Sequence, residues 1–375
     1  MKTLLKNCLF SALVFVLGFV LIEGTSSSII IAHKVWISLR THHPSYIRYD
    51  RELGWVSIPN YYDKDCFAPG VYLRTNSRGF RGNEETADQI PPGKVRLVCS
   101  GDSFTLGDGV DNDHTWCQRL ASMNNSLETV NMGESGYGLD QMYLWYRRDG
   151  FSLRDDIHIL AVIGDDFRRM DCSDMVGCQN KPVLRLRNGS LVVTNVPVPR
   201  EPRLARWWRW NGRSLSELRT VQLSEAGLSR ITPRKPSTGP TTALCQTISM
   251  VIDELRSVNS EKNRVFVLAY LPTQEDYYGT DPAFPFWRTF LRQEAARTGL
   301  PLIDLTEDFQ KLSPQEVRRL FIQPNPSRTT FGAGHYSDEG NEFVARKLYS
   351  DLLSRPEIQK KFAERRQIDA TFASH

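Results

Sequence analysis

The 375-residue chain is poor in cysteine and histidine, with seven of each, and its formal net charge is only +4. The cysteines (Cys8, Cys66, Cys99, Cys117, Cys172, Cys178 and Cys245) form no C-x-x-C pair and no cluster with histidine, which excludes the common zinc spacings. His42, His43, His114 and His158 show no metal spacing and read as surface or core residues. So small a charge gives no argument for nucleic acid, and no nucleic-acid motif is present. There is no internal repeat. With 40% hydrophobic and 24% charged residues, wholesale disorder is excluded. Nothing in the sequence names a metal or an organic cofactor, so none is expected. The length suits one large α/β domain with extensions, or two small domains.

What the chain does have begins at its N-terminus. Lys2 and Lys6 precede an uncharged apolar run, CLFSALVFVLGFVLI, from Cys8 to Ile22. This is the pattern of a secretory signal or a signal anchor. Counted from Leu4, it approaches the roughly 20 residues needed to cross a bilayer as a helix. The EGTSSS that follows lacks an A-x-A cleavage pattern, which favours an anchor that stays. Residues 1–28 are therefore expected to form a transmembrane signal anchor, with the membrane as partner. The two lysines would stay in the cytoplasm and the rest of the chain would lie outside. Cys172 and Cys178 bracket MDCSDMVGCQ, a short loop able to close through a disulfide in an oxidising space.

Residues 29–93 show turn formers and aromatics but little periodicity, and are expected to form short strands and loops packed on the main domain. From Lys94 a regular alternation begins. VRLVCS, LETVNM, IHILAVIG, RVFVLAYLP and LPLIDL read as strands, separated by helical stretches and closed by the helix EGNEFVARKLYSDLL. Alternation of this kind predicts a parallel sheet covered by helices on both faces. An insertion over 167–237 interrupts it. There PVLRLRNGSLVVTNVPVP predicts a β-hairpin turning at Asn188-Gly189. The charged tail, 355–375, is expected to be peripheral or mobile.

The residues that carry chemistry are strand–GDSFTLGDG. A serine just past the carboxyl end of a parallel strand lies where open α/β sheets bind their ligands. Amides at the start of the following helix face any developing negative charge. Alone, G-D-S is also an ordinary capping turn; later elements in compatible order give it weight.

Those elements resemble the SGNH/GDSL hydrolase superfamily, in particular its membrane-anchored bacterial members. Gly101-Asp102-Ser103-Phe104 matches the family's first block and Asn131-Met132-Gly133-Glu134-Ser135-Gly136 its N-x-G-x-x-G block. Gly164-Asp165-Asp166 falls on the third block, and His335 in GHYSDEGN on the last. The resemblance covers roughly residues 95–354, within an expected domain at 94–354, and NSRGFRG before it is also reminiscent of anchored members. It implies a three-layer α/β/α, flavodoxin-like sheet with an inserted hairpin or lid. It implies Ser103 as nucleophile, His335 as base, and an oxyanion hole from the Ser103 and Gly136 amides.

Two positions depart from the family. Asp165 stands where an asparagine donates to the oxyanion, and an ionised carboxylate only accepts. One such donor is typically worth on the order of 10²–10³ in turnover. Either Asp165 is held protonated, or a neighbour supplies the donor, or catalysis is slow. Gly332 stands where the family has an aspartate three residues before the histidine. The orienting role then passes to Asp338, to Asp304, or to a backbone carbonyl in a Ser–His dyad. Asp102 reads as a turn residue and Asp166 as a brace for the active-site loops.

Within the insertion, RWWRW combines tryptophan with arginine, and nine basic residues face three acidic ones between Asn195 and Lys235. This suits a lid whose tryptophans fill a core, recognition of an acidic glycan, or contact with a membrane. The function expected is an envelope-anchored serine esterase or O-acyltransferase acting on glycan esters, with acetyl the expected group. It would sit in a bacterial inner membrane with its catalytic domain on the extracytoplasmic side. Its substrate would be an ester-bearing glycan or small acyl ester, and a transferase would need a membrane partner as acyl donor. The competing reading is a catalytically weak polysaccharide-binding or assembly protein; a lipase or thioesterase is a third.

Overall fold

The computed structural model describes residues 6–7, 10–21, 24–25, 27–28, 46–170, 181–200, 240–324 and 331–373. The chain divides into two compact units, residues 1–43 with 201–238, and residues 44–200 with 239–375. In the first unit residues 10–21 are helical and carry exposed apolar side chains, among them Phe10, Leu13, Phe15 and Phe19. Among the described residues no helix is long and apolar enough to cross a membrane. The RWWRW segment and the Cys172–Cys178 loop lie outside the described residues.

The second unit opens with two antiparallel hairpins, β1 (Ile47–Asp50) with β2 (Gly54–Ser57) and β3 (Tyr62–Ala68) with β4 (Val71–Arg74). The five strands β5 (Val95–Gly101), β6 (Leu127–Gly133), β7 (Ile157–Val162), β10 (Val265–Tyr270) and β11 (Leu302–Asp304) form one parallel sheet. Its order is β11-β10-β7-β5-β6. The first strand of the series thus lies between the second and third, and the winding reverses beside β5, where doubly wound sheets open a ligand crevice. Between β7 and β10 lies the predicted hairpin, β8 (Val183–Arg187) and β9 (Ser190–Thr194). Asn188 and Gly189 at its tip both have positive φ, 50° and 75°. That conformation fits the right-handed twist of a two-residue hairpin.

Every residue of β5 and β7 is buried, as expected of strands covered on both faces. Val98, Leu160 and Val162 join one apolar cluster, whereas Leu97, Cys99, Ile159 and Ala161 join another. Alternate residues point to opposite faces, so these clusters are the two cores of a three-layer sandwich. The first core is closed by α3 (Leu139–Trp145), α5 (Thr242–Glu261) and α7 (Phe284–Thr298), through Met142, Val251, Leu255 and Trp287. The second is closed by α2 (Trp116–Met123), α10 (Asp338–Ser354) and α11 (Pro356–Ala373), through Trp116, Leu120, Val344, Leu348 and Ile358. Two short helices shape the site, α1 (Ser103–Leu106) and α4 (Gly164–Arg168).

Within the charged tail, α11 packs on the outside of the domain. Ile358 is buried, and the Arg365 guanidinium takes Asp156, at the amino end of β7, at 2.8 Å. The predicted extension also belongs, from residue 44 onward, to the same unit as the sheet. His158 is a core residue, stacked 3.6 Å from Tyr146 and hydrogen-bonded to Ser100 and Asn259.

Candidate active site

Strand β5 ends in a turn whose parts are fixed by their neighbours. The Asp102 carboxylate caps α1 by accepting from the Phe104 amide at 2.9 Å, and this places Ser103 at the first helical position. The next strand locks the turn from the side. Asn131 donates to the Thr105 carbonyl at 2.8 Å and accepts from the Gly133 amide at 2.9 Å. A Cβ at Gly133 would lie 2.0 Å from the Leu106 nitrogen, so only glycine lets β6 approach α1 this closely.

Arg81, the second arginine of NSRGFRG, secures the far end of the turn. Its buried guanidinium donates to the carbonyls of Leu106, Gly107 and Val110 and to Asn112 Oδ1, at 2.5–2.9 Å. The carbonyls left open where α1 ends thereby gain a cationic partner.

Across the crevice, His335 precedes α10 in a loop that folds back on itself: Ile322 N–H donates to the His335 carbonyl at 2.8 Å, and Gly334 N–H to the Ile322 carbonyl at 2.9 Å. The imidazole lies 4.7 Å from the Phe104 ring, and its Nε2 is 2.7 Å from Ser103 Oγ. Its Nδ1 is 3.2 Å from the Gly332 carbonyl oxygen. A carbonyl only accepts, so Nδ1 carries the proton and Nε2 is left to accept from the serine hydroxyl.

Neither carboxylate considered as the orienting acid is beside the imidazole. Asp338 is the first residue of α10, where it meets His114 Nδ1 at 3.1 Å and Arg119 at 3.2 Å. Asp304 ends β11 and is held by Arg292 at 2.8 Å and by the Thr306 amide at 3.0 Å. Gly332 itself explains why no acid stands at its position. Its φ is +72°, and a Cβ there would lie 2.6 Å from the Asp108 carbonyl oxygen. Both the backbone conformation and the packing of this loop demand glycine.

Gly136 lies three residues past the end of β6, which pairs with β5 in register from Val95↔Leu127 to Gly101↔Gly133. It has φ +76°. Among the described residues, no protein group accepts from the Ser103 or the Gly136 amide. The turn carrying Gly136 rests on a buried polar cluster: Glu134 Oε2 accepts from Ser57 at 2.7 Å and Oε1 from the Ser135 amide at 3.2 Å. Burial pushes the Glu134 carboxyl up to about 8, with the Asp108 charge adding to the effect. Ser135 Oγ bridges Asp108 at 2.5 Å and Tyr46 at 2.8 Å, and the Trp55 indole donates to the Ser135 carbonyl at 2.9 Å.

At the carboxyl end of β7, the two acids of the third block behave differently. Asp165 is partly exposed and ion-paired with Arg168, which also holds Asp281 at 2.7 Å. Asp166 is fully buried; its Oδ2 accepts from the Ile163 amide at 2.8 Å and its Oδ1 from Arg169 at 2.7 Å. Burial and the neighbouring Asp102 raise the Asp166 carboxyl well above the usual range, against the pull of Arg169. The site therefore contains four groups that the sequence reading did not single out, Arg81, Glu134, Arg169 and Lys181, the last donating to the Arg169 carbonyl at 2.7 Å. Arg81 and Glu134 lie within motifs already noted, but no sequence signal marked Arg169 or Lys181. Among the described residues, no group of three or more His, Cys, Asp or Glu is placed to hold a metal ion.

No protein-family model matches the chain, and no curated protein sequence does. Solved structures do. The chain is similar to G-D-S-L lipolytic proteins and esterases. A member of the lipolytic protein G-D-S-L family from Veillonella parvula is 14% identical, over 68% of this chain and 97% of that one, with a TM-score of 0.38. The acetylxylan esterase Axe2 from Geobacillus stearothermophilus is 12% identical over 70% and 95%, with a TM-score of 0.39. The lipase/acylhydrolase from Enterococcus faecalis is 14% identical over 69% and 95%, with a TM-score of 0.37.

Proposed function

We propose that this chain is a serine esterase or acyltransferase of the SGNH/GDSL type that works through a Ser103–His335 dyad. The observation that carries this reading is the 2.7 Å contact between His335 Nε2 and Ser103 Oγ. It joins residues 232 positions apart in the sequence, at the carboxyl end of a strand beside the reversal of the sheet.

In the mechanism His335 Nε2 takes the hydroxyl proton as Ser103 Oγ attacks the ester carbonyl. The Ser103 and Gly136 amides donate to the tetrahedral oxyanion. The imidazolium returns its proton to the leaving alkoxide, and the acyl group remains on Ser103. A second hydroxyl, from water or a sugar, then gives its proton to His335 and attacks the acyl-enzyme. Ser103 leaves and is reprotonated. Water makes the chain an esterase, and a sugar hydroxyl makes it a transferase.

The finer reading is an enzyme anchored in a bacterial inner membrane, acting outside the cytoplasm on acyl, chiefly acetyl, esters of a glycan. It is supported by the apolar N-terminal run and by the Trp- and Arg-rich insertion. Outside the cytoplasm a transferase would draw its acyl group from a membrane partner. Membrane fractionation of the expressed full chain tests the anchor, and recovery wholly in the soluble fraction rejects it.

A fluorophosphonate probe tests the chemistry. Labelling of the folded chain, abolished in Ser103→Ala and in His335→Ala, is the expected result. A folded chain that takes no label supports the competing reading, a polysaccharide-binding or assembly protein, which Asp165 and Gly332 favour by standing where the resembled family has asparagine and aspartate.

A further inference from the structure

Arg169 closes α4, and one of its nitrogens touches all three strand-end turns of the site. Nη1 lies 3.0 Å from Asp102 Oδ2, 2.9 Å from the Tyr137 carbonyl and 2.7 Å from Asp166 Oδ1. Asp102 precedes the serine, Tyr137 follows Gly136, and Asp166 belongs to the third block. Two N–H bonds are shared among three acceptors, each at the carboxyl end of a different strand. The backbone of Arg169 is fixed as well, because Lys181 donates to its carbonyl and to Asp140 Oδ1, both at 2.7 Å.

The charges matter as much as the distances. Asp102 and Asp166 are both buried, and Asp102 Oδ2 is only 3.4 Å from Ser103 Oγ. Without a cation, the Asp102 carboxylate would oppose the negative charge that develops on the attacked carbonyl. Asp165 sits apart from this arrangement, paired with Arg168 instead.

We propose that Arg169 is the positioning residue of this site: it holds the Ser103 turn, the Gly136 turn and α4 in one register, and it offsets the Asp102 carboxylate beside the nucleophile. This rests on the Ser103–His335 reading. It gives a physical account of how a chain without the third-block asparagine keeps its oxyanion amides aligned. A lysine would keep the charge, but its side chain is one bond shorter, so Nζ would fall short of the point where Nη1 meets the three acceptors.

The test uses the full chain as wild type, Arg169→Lys and Arg169→Ala, with p-nitrophenyl acetate turnover, fluorophosphonate labelling, thermal unfolding and hydrogen exchange of segment 133–138. In Arg169→Lys, kcat falls about 10²-fold, the scale of a small misplacement of reacting groups, while KM stays within about threefold. Exchange of 133–138 accelerates although cooperative unfolding is retained. Added guanidinium restores at least about tenfold of kcat in Arg169→Ala by reoccupying the vacated acceptors. A kcat in Arg169→Lys within about threefold of wild type, or unchanged exchange of 133–138, overturns the proposal. Loss of cooperative unfolding in both variants also overturns it, since the arginine would then serve folding. A folded wild type that takes no label rejects the Ser103–His335 reading instead, and hydrogen exchange then decides on the tie by itself.

Discussion

His335 Nδ1 meets the carbonyl oxygen of Gly332 at 3.2 Å, so the imidazole is oriented by the backbone of its own loop. A carbonyl fixes the tautomer as an aspartate would, but it would bring only a partial charge to the imidazolium of the proposed attack. The same glycine both supplies that carbonyl and excludes the acid, because its φ of +72° and the nearby Asp108 carbonyl leave no room for a side chain.

The proposed dyad needs neither candidate acid. Asp338→Asn and Asp304→Asn should each keep kcat/KM for an aryl acetate within about threefold of wild type. Gly332→Asp should not create a triad. It should lower both Tm and kcat/KM, the latter by more than about tenfold, because the loop carrying His335 must shift. A gain in activity in Gly332→Asp would contradict the loop geometry.

Asp165→Asn restores the family's amide on paper. In this structure the side chain is engaged by Arg168. The expected gain in kcat is below about tenfold, against the 10²–10³ typical of a working oxyanion donor. Steady-state kinetics on the single variant decides between the two.

Arg81 holds three carbonyls and an amide oxygen around the serine turn from a buried position. Arg81→Met strands those acceptors and should destabilise the domain by on the order of 3 kcal/mol. Urea unfolding measures this, and a midpoint equal to that of the wild type would mean that the turn is held by other contacts.

Glu134 gives a pH dependence of stability. Burial raises its carboxyl to about 8 in the folded chain, against about 4.3 when unfolded. Between these values the folded state binds the extra proton. Its contribution is complete below about pH 4.3 and is lost as pH rises through about 8. Glu134→Gln, neutral at every pH, should therefore flatten the fall in stability between pH 5 and 9 and unfold later than wild type at pH 9. Denaturant curves at several pH values test this; parallel profiles for the two proteins would remove Glu134 as the cause.

Much of the fold can be read directly from the sequence, because its signals are local. The runs VRLVCS and IHILAVIG are largely apolar where both faces of a strand must be covered, and Asn188-Gly189 turns where φ must be positive. Ser103 and His335 stand out in the sequence because each falls on a short motif of the family that the chain resembles. The partner of His335 does not, since every residue owns a carbonyl and none advertises it. In one dimension Asp338, Asp304 and a backbone carbonyl all stay open as that partner, and only packing turns the two carboxylates toward Arg119 and Arg292. Arg169 and Lys181 resemble any other surface cation until the sheet gathers three strand ends around one guanidinium. Residue order thus determined which groups and which turns exist, through the short-range demands of hydrophobic alternation and backbone conformation. Which groups share a proton or a charge was decided by the long-range closure of the sheet, where contact depends on burial and distance that no local pattern encodes.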